Sequence, residues 1–303
     1  MKKIAIAGLA NIETSLRVDK FPLEYYSDRY TFFGAKTAVS GVGYNLAKSL
    51  TVLGNDVSLL SIIGNDLLGE VVKGQLVQNR VSTERILPLM GETSQSVILY
   101  DEDGRRQIHV DLKNVQEMAY PEEPMIAALE ACDLAVLGTV NFSRPYLPIA
   151  RKMGKLVATD VQSISDIDDD YNRDYMAQAD ILFMSHERLP MSPEQWIAAI
   201  FDRYQAQIAV VGLGADGCLL AVRDDHFVER IPAVQTRPIV STVGAGDSLF
   251  SSFLHTYLAT GDPYEAAKRA VVFASWKIGA TSGSEGFLTP DDWALLCDDV
   301  YLS

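Results

Sequence analysis

Short apolar runs recur along the chain and alternate with patterns of helical period. Residues 3–8 form an apolar run that ends in glycine, the pattern of a buried parallel strand. Similar runs occupy 57–63, 133–138, 155–160, 180–184 and 208–213. Between them, in 45–53, Leu46, Leu50 and Leu53 fall at i, i+4 and i+7, and Gly54 stands where a helix-ending glycine belongs. In 265–278 alanines and aromatic residues repeat at three and four. Strands alternating with helices predict an α/β fold with a mainly parallel central sheet.

Two segments break this rhythm. Residues 96–112 read as a hairpin turning at Asp103-Gly104. Its second arm alternates, with Ile108, Val110 and Leu112 on one face and Gln107, His109 and Asp111 on the other. Residues 14–36 are rich in aromatic and β-branched residues, with Pro22 inside. Together these segments predict a small antiparallel sheet outside the main one, a half-exposed lid built from about 14–36 and 94–113. No internal repeat, low-complexity tract or linker interrupts the rest, so 1–303 reads as a single α/β domain. The acidic stretch 166–170 reads as a solvated loop or helix start.

Composition narrows the function classes. Of 303 residues, 48% are hydrophobic and 22% charged, which predicts a globular chain with a sizeable core. The net charge of -14 argues against nucleic acid and anionic membrane as partners, and requires a local positive site for any anionic substrate. Cys132, Cys218 and Cys297 have no CxxC or metal-ligand spacing and read as reduced thiols of a cytoplasmic protein. At the N-terminus, Asn11 and Glu13 cut off the first apolar run, so it reads as a strand and not as a signal peptide. No apolar run reaches a membrane-spanning length.

The stretch STVGAGDS, 241–248, sets bare backbone and one carboxylate in front of an amphipathic helix. Leu249, Phe250, Phe253, Leu254, Tyr257 and Leu258 form the helix's apolar stripe, and Gly261 ends it. Glycine lets a ligand approach the backbone closely, and the N–H groups of a helix start favour anions. In phosphoryl transfer, such N–H groups hold developing phosphate charge while the Asp takes a hydroxyl proton. In the structural alternative, Asp247 only caps the helix. A second glycine pair, in Ser40-Gly41-Val42-Gly43-Tyr44-Asn45, also opens a helix. The dinucleotide fingerprint fails there because Leu46 stands at the third glycine, and GxxxxGK[ST] occurs nowhere. Residues 211–218, VGLGADGC, are a strand and a tight glycine turn.

In combination these stretches resemble the PfkB/ribokinase family of carbohydrate kinases. Residues 40–70 look like its N-terminal signature, 241–253 like its C-terminal one, and 211–218 like its nucleotide-binding turn. The resemblance implies a ribokinase-like three-layer sandwich with a small β lid, and an ATP-dependent kinase using Mg²⁺ to phosphorylate a hydroxymethyl group of a small sugar. It implies Asp247 as catalytic base, the N–H groups of Gly244, Ala245 and Gly246 as anion hole, and Glu13, Gly41, Gly43 and Asn45 as sugar contacts. Gly214 and Gly217 would border the ATP phosphates, and Gly279, Ala280 and Gly283 would line the adenine pocket. Phe32, Phe33 and Ile98 would cover the substrate. A homodimer through the lid is a further implication.

The chain departs from the family pattern at four places. Ser40 replaces the first glycine of the signature, and Glu13 stands where many relatives have Asp. The NxxE stretch associated with Mg²⁺ is here Ser185-His186-Glu187-Arg188, leaving Glu187 as the metal candidate. Ser241 stands where relatives that bind a monovalent cation often have Asp, which puts potassium activation in doubt. Two rival functions remain open: a nucleoside kinase, with Phe32, Phe33 and Tyr44 stacking on a base, and a non-catalytic sugar or nucleotide sensor. The four histidines read as unclustered, and Trp196, Trp276 and Trp293 as core. Arg105-Arg106 reads as solvated, or as a lid arginine reaching a substrate anion.

Overall fold

The computed structural model describes residues 1–102 and 105–302. The strands are β1 Lys3–Ala7, β2 Asn11–Arg17, β3 Ala35–Ser40, β4 Asp56–Gly64, β5 Ile86–Met90, β6 Gln95–Tyr100 and β7 Arg106–Asp111. After these come β8 Leu134–Leu137, β9 Leu156–Ser163, β10 Ile181–Ser185, β11 Ile208–Gly212, β12 Cys218–Val222 and β13 Phe227–Ile231. The helices begin with α1 Val42–Val52, α2 Leu67–Gln78, α3 Glu122–Ala131, α4 Leu147–Lys152 and α5 Arg173–Gln178. They continue with α6 Pro193–Arg203, α7 Ala245–Thr260, α8 Pro263–Lys277 and α9 Pro290–Leu302.

The main sheet runs β13-β12-β11-β10-β9-β8-β1-β4-β5. It is parallel from β11 to β5, and β12 and β13 add an antiparallel edge. Strand alternation divides its side chains between two cores. Ala5, Ala7, Leu60 and Ile62 pack with Met125 and Leu129 of α3, Leu147 of α4 and Trp196 of α6. Ile4, Ile6, Leu59 and Ile63 pack with Leu46 and Leu50 of α1, Phe250 and Phe253 of α7 and Ala270 of α8. The result is three layers, helix–sheet–helix, as the alternating pattern predicts.

A second sheet runs β3-β2-β6-β7. Its outer pairs are antiparallel, but β2 and β6 pair in parallel, with Glu13 opposite Ser96, so the expected antiparallel lid is a mixed sheet. The cause lies in the connections. β2 follows β1 and β6 follows β5 after a few residues, and β1 and β5 belong to the parallel part of the main sheet. Both lid strands therefore leave the same edge in the same direction. The Asp103-Gly104 turn expected between β6 and β7 lies outside the described residues. The apolar alternation of β7 is present but uncovered, with Ile108 48% and Val110 54% exposed. Residues 18–34, between β2 and β3, carry no strand.

Trp196 and Trp293 are core residues, as expected, whereas Trp276 is only partly buried, under the Arg237 guanidinium at 4.2 Å. All three cysteines are buried and free. No helix among the described residues is long and apolar enough to cross a membrane.

Candidate active site

The site lies along the edge where parallel strands end, which is where open α/β sheets bind ligands. Two helices begin there. α7 starts at Gly244, whose φ of 77° is left-handed; a Cβ at that position would lie 2.5 Å from the Gly283 carbonyl oxygen. Only glycine fits both demands. No side chain caps this helix start, so Asp247 is not a cap. The helix is anchored on the sheet by Phe250 and Phe253, whose rings lie 4.6 and 5.2 Å from that of Phe183 on β10. Fully burying each such ring contributes about 1.5–3 kcal/mol. α1 packs beside α7, with the Ser49 and Ser251 hydroxyls 2.8 Å apart.

That packing brings the first turns of both helices together. Asn45 donates its amide to Asp247 Oδ2 at 2.6 Å. Ser40 donates to Glu13 Oε2 at 2.9 Å, and Asn45 Nδ2 reaches Ser40 Oγ at 3.4 Å. The two departures at positions 13 and 40 therefore touch: the longer acid is met by the added hydroxyl. Burial pushes the Asp247 carboxyl up, while the Asn45 bond and the Lys277 charge pull it down. Burial likewise raises Glu13, against the Ser40 bond and the Lys277 charge, with Asp247 adding repulsion. In both, burial outweighs the bonds and the charge that oppose it, and the carboxyl is raised.

The ends of β10 and β11 lie along the same edge. The glycine turn Gly214–Asp216 follows β11, with Gly217 just after it, and His186 Nδ1 lies 2.8 Å from the Gly212 carbonyl oxygen. Glu187 is exposed, 3.3 Å from the Arg106 guanidinium and 3.4 Å from Ser163 Oγ. Arg106 also donates to Thr242 Oγ1 at 2.8 Å, so the lid strand β7 reaches the glycine loop. Among the described residues no group of three potential metal ligands occurs. Glu187, ion-paired with Arg106, would be a single carboxylate ligand, and Mg²⁺ would fit there because that ion takes few protein ligands and keeps water and substrate oxygens.

The description "pfkB family carbohydrate kinase" matches residues 1–290. The chain belongs to that family. This pfkB kinase is 28% identical over 272 residues to an acarbose 7(IV)-phosphotransferase of Actinoplanes sp., covering 88% of each chain. It is 26% identical over 261 residues to fructosamine kinase FrlD of Bacillus subtilis, covering 85% of this chain and 88% of the relative. Its fold superposes on a microbiome-derived acarbose kinase with a TM-score of 0.87 at 25% identity, over 98% of both chains. It also matches a Burkholderia thailandensis nucleoside kinase in complex with inosine at a TM-score of 0.80, with 15% identity over 99% of both; that likeness is one of fold.

Within the pfkB kinase, Glu13, Asn45 and Asp247 are linked through Ser40 and the Asn45 amide at the Gly244–Gly246 start of α7. Gly283 sits beside Asn45 and Ser40, and its backbone N–H opposes the rise of the Glu13 carboxyl, so it stands at the acid cluster. A Cβ at Gly43 would lie 2.6 Å from the Gly8 carbonyl carbon, and one at Gly41 2.6 Å from the Leu9 oxygen, so both glycines let the start of α1 abut the connection after β1. Gly279 and Ala280 continue from α8, with Gly279 packed on Arg237. Tyr44 offers no stacking face: it is in the core, its hydroxyl bonded by Asn79 at 3.0 Å. Phe32 and Phe33 are 79% and 100% exposed, and Ile98 is buried.

Two members of the site escaped sequence reasoning. Asp160, near the end of β9, is half-buried, and burial and the Asp247 charge raise its carboxyl to about 6. Its one signal was a carboxylate ending an apolar strand at the ligand-binding edge. Lys277, at the end of α8, is fully buried. It donates to the carbonyl oxygens of Val243 and, at 2.7 Å, Ser282. Nothing in a helical repeat marks one lysine as the buried one.

Proposed function

We propose that this pfkB-family chain, as one α/β kinase domain over 1–303, transfers the γ-phosphoryl group of ATP to a hydroxymethyl group of a small sugar. The observation that carries the reading is Asp247, held through Oδ2 by Asn45 at the open start of α7. Its Oδ1 takes the acceptor hydroxyl's proton as the acceptor oxygen bonds to the γ-phosphorus and the bond to the ADP oxygen breaks. The N–H groups of Gly244, Ala245 and Gly246 stabilise the charge on the transferred oxygens. Glu13 accepts from sugar hydroxyls. Gly214 and Gly217 flank the ATP phosphates, and Gly279 and Ala280 lie toward the base. Glu187 would hold Mg²⁺, which when bound neutralises phosphate charge.

Three carboxylates in one site, Glu13, Asp160 and Asp247, favour a neutral or amine-bearing sugar over a sugar phosphate. Acarbose and fructosamine kinases are among its relatives, as is a ribose-1-phosphate kinase, so the preference rests on the three carboxylates. Reduced cysteines and the use of ATP support a cytoplasmic location. The uncovered apolar face of β7 supports pairing of two lids in a homodimer, which a solution mass measurement tests.

The function test is ADP release from Mg-ATP with ribose, fructose, other ketoses, acarbose, fructose 6-phosphate and nucleosides. A sugar should turn over, and Asp247→Asn should lower kcat by about 10²–10⁴ while ATP still binds. A wild type that binds no ATP and turns over no acceptor overturns the reading.

A further inference from the structure

The end of α8 is tied to the glycine loop twice. The Ile278 carbonyl accepts from the N–H groups of Val240 and Ser241, at 2.8 and 3.0 Å. One residue earlier, the Lys277 ammonium bonds the carbonyls of Val243, just before the loop, and of Ser282, just before the Gly283 that packs on Gly244. A buried ammonium loses its hydration, and an apolar side chain of like volume would usually serve packing better. A positive charge here does something packing cannot. It holds the carbonyl oxygens of Val243 and Ser282 toward itself and puts a positive charge next to the loop that opens α7.

We propose that Lys277 is a resident cation that holds the Gly244–Gly246 loop in its anion-accepting form, a positioning residue that makes a diffusible monovalent cation unnecessary. This deepens the kinase reading and rests on it. The charged groups that face Lys277 are Asp247 from α7, Glu13 from β2, Glu285 from the segment after α8, and Arg237 from the segment before the loop. Burial pulls the ammonium down to about 8 against the three carboxylates. The ammonium is therefore lost as pH rises through about 8, and the loop loses its support over that range.

The test compares wild type, Lys277→Arg and Lys277→Ala in buffer free of potassium and ammonium, with the sugar that turns over in the wild type. Thermal melts establish folding. Lys277→Ala should lose roughly 10²-fold in kcat with the acceptor KM little changed. It should bind ADP as the wild type does but lose the extra affinity for ATP. Methylammonium or potassium should restore part of its kcat and leave the wild type unaffected. The wild-type rate should fall above about pH 8, and Lys277→Arg should not show that fall.

A folded Lys277→Ala with kcat within about twofold of wild type overturns the proposal. So does loss of ADP and ATP binding together without cation rescue. If Lys277→Ala does not fold, the wild type decides, because activation of the wild type by potassium overturns the proposal. A wild type that transfers no phosphoryl group, yet binds ATP more tightly than ADP only while Lys277 is present, overturns the kinase reading and leaves this one standing.

Discussion

Asn45 and Asp247, 202 residues apart in the chain, meet through a 2.6 Å hydrogen bond that joins the first turns of two adjacent helices. The bond orients the carboxylate and opposes the effect of burial on it. Replacing Asn45 by Ala removes the lowering contribution, so the Asp247 pKa rises further and more of the base is protonated at a given pH. The acid limb of the kcat profile should move to higher pH, with kcat down about tenfold at neutral pH. A kcat–pH series on both proteins checks this. An unshifted limb would mean that Asn45 does not act on the base.

Gly244 and Gly246 stand two residues apart but are bare for different reasons. At Gly244 a Cβ meets the backbone of Gly283 and φ is 77°, so Gly244→Ala should cost about 1–3 kcal/mol and abolish transfer. At Gly246 a Cβ meets nothing within 4 Å, so Gly246→Ala should melt like the wild type and raise the KM for ATP if phosphate approaches there. Melting curves beside KM values separate the two.

Ser40 and Glu13 should behave as a unit. Glu13→Asp shortens the acid away from Ser40 Oγ, and Ser40→Gly removes the donor. Each single change should raise the acceptor KM, and together they should cost less than their sum, with a coupling of about 0.5–3 kcal/mol. A double-mutant cycle on kcat/KM measures it, and strict additivity would dissolve the pair.

Asp160 should make the protein less stable at neutral pH than its uncharged variant. Its carboxyl binds a proton at about 6 when folded, against an ordinary value of 3.8. Between those values the folded state holds the extra proton, so this group's contribution falls as pH rises toward 6. Asp160→Asn should therefore gain about 1–2 kcal/mol at pH 7, a gain that vanishes near pH 4. Melts from pH 4 to 8 test the direction. Equal stabilities throughout would place Asp160 in water and not against Asp247.

Much of this was legible along the chain. Apolar runs and helical repeats located the parallel strands except β5, and the helices α1, α7 and α8 of one face, because burial on two faces or on one stripe leaves a local period. STVGAGDS announced a ligand-facing helix start, because the demand for bare backbone and a carboxylate is itself local. The mixed pairing of the lid was not legible, since β2 and β6 lie some eighty residues apart and their direction follows from β1 and β5. Tyr44 looked like a stacking surface because an aromatic residue beside a glycine pair reads alike whether it faces a ligand or the core.

The sequence by itself determined the family, the layered α/β architecture and the chemistry of Asp247 with its glycines, because each is written in contiguous residues. Only the tertiary structure decided which groups act together. Asn45 reaches Asp247, Ser40 meets Glu13, Asp160 joins the acids, and Lys277 is sealed behind the loop. Those relations depend on how α1, α7 and α8 pack over the ends of the strands. A lysine's burial, and a carboxylate's neighbours, are properties of that packing and leave no local period to read.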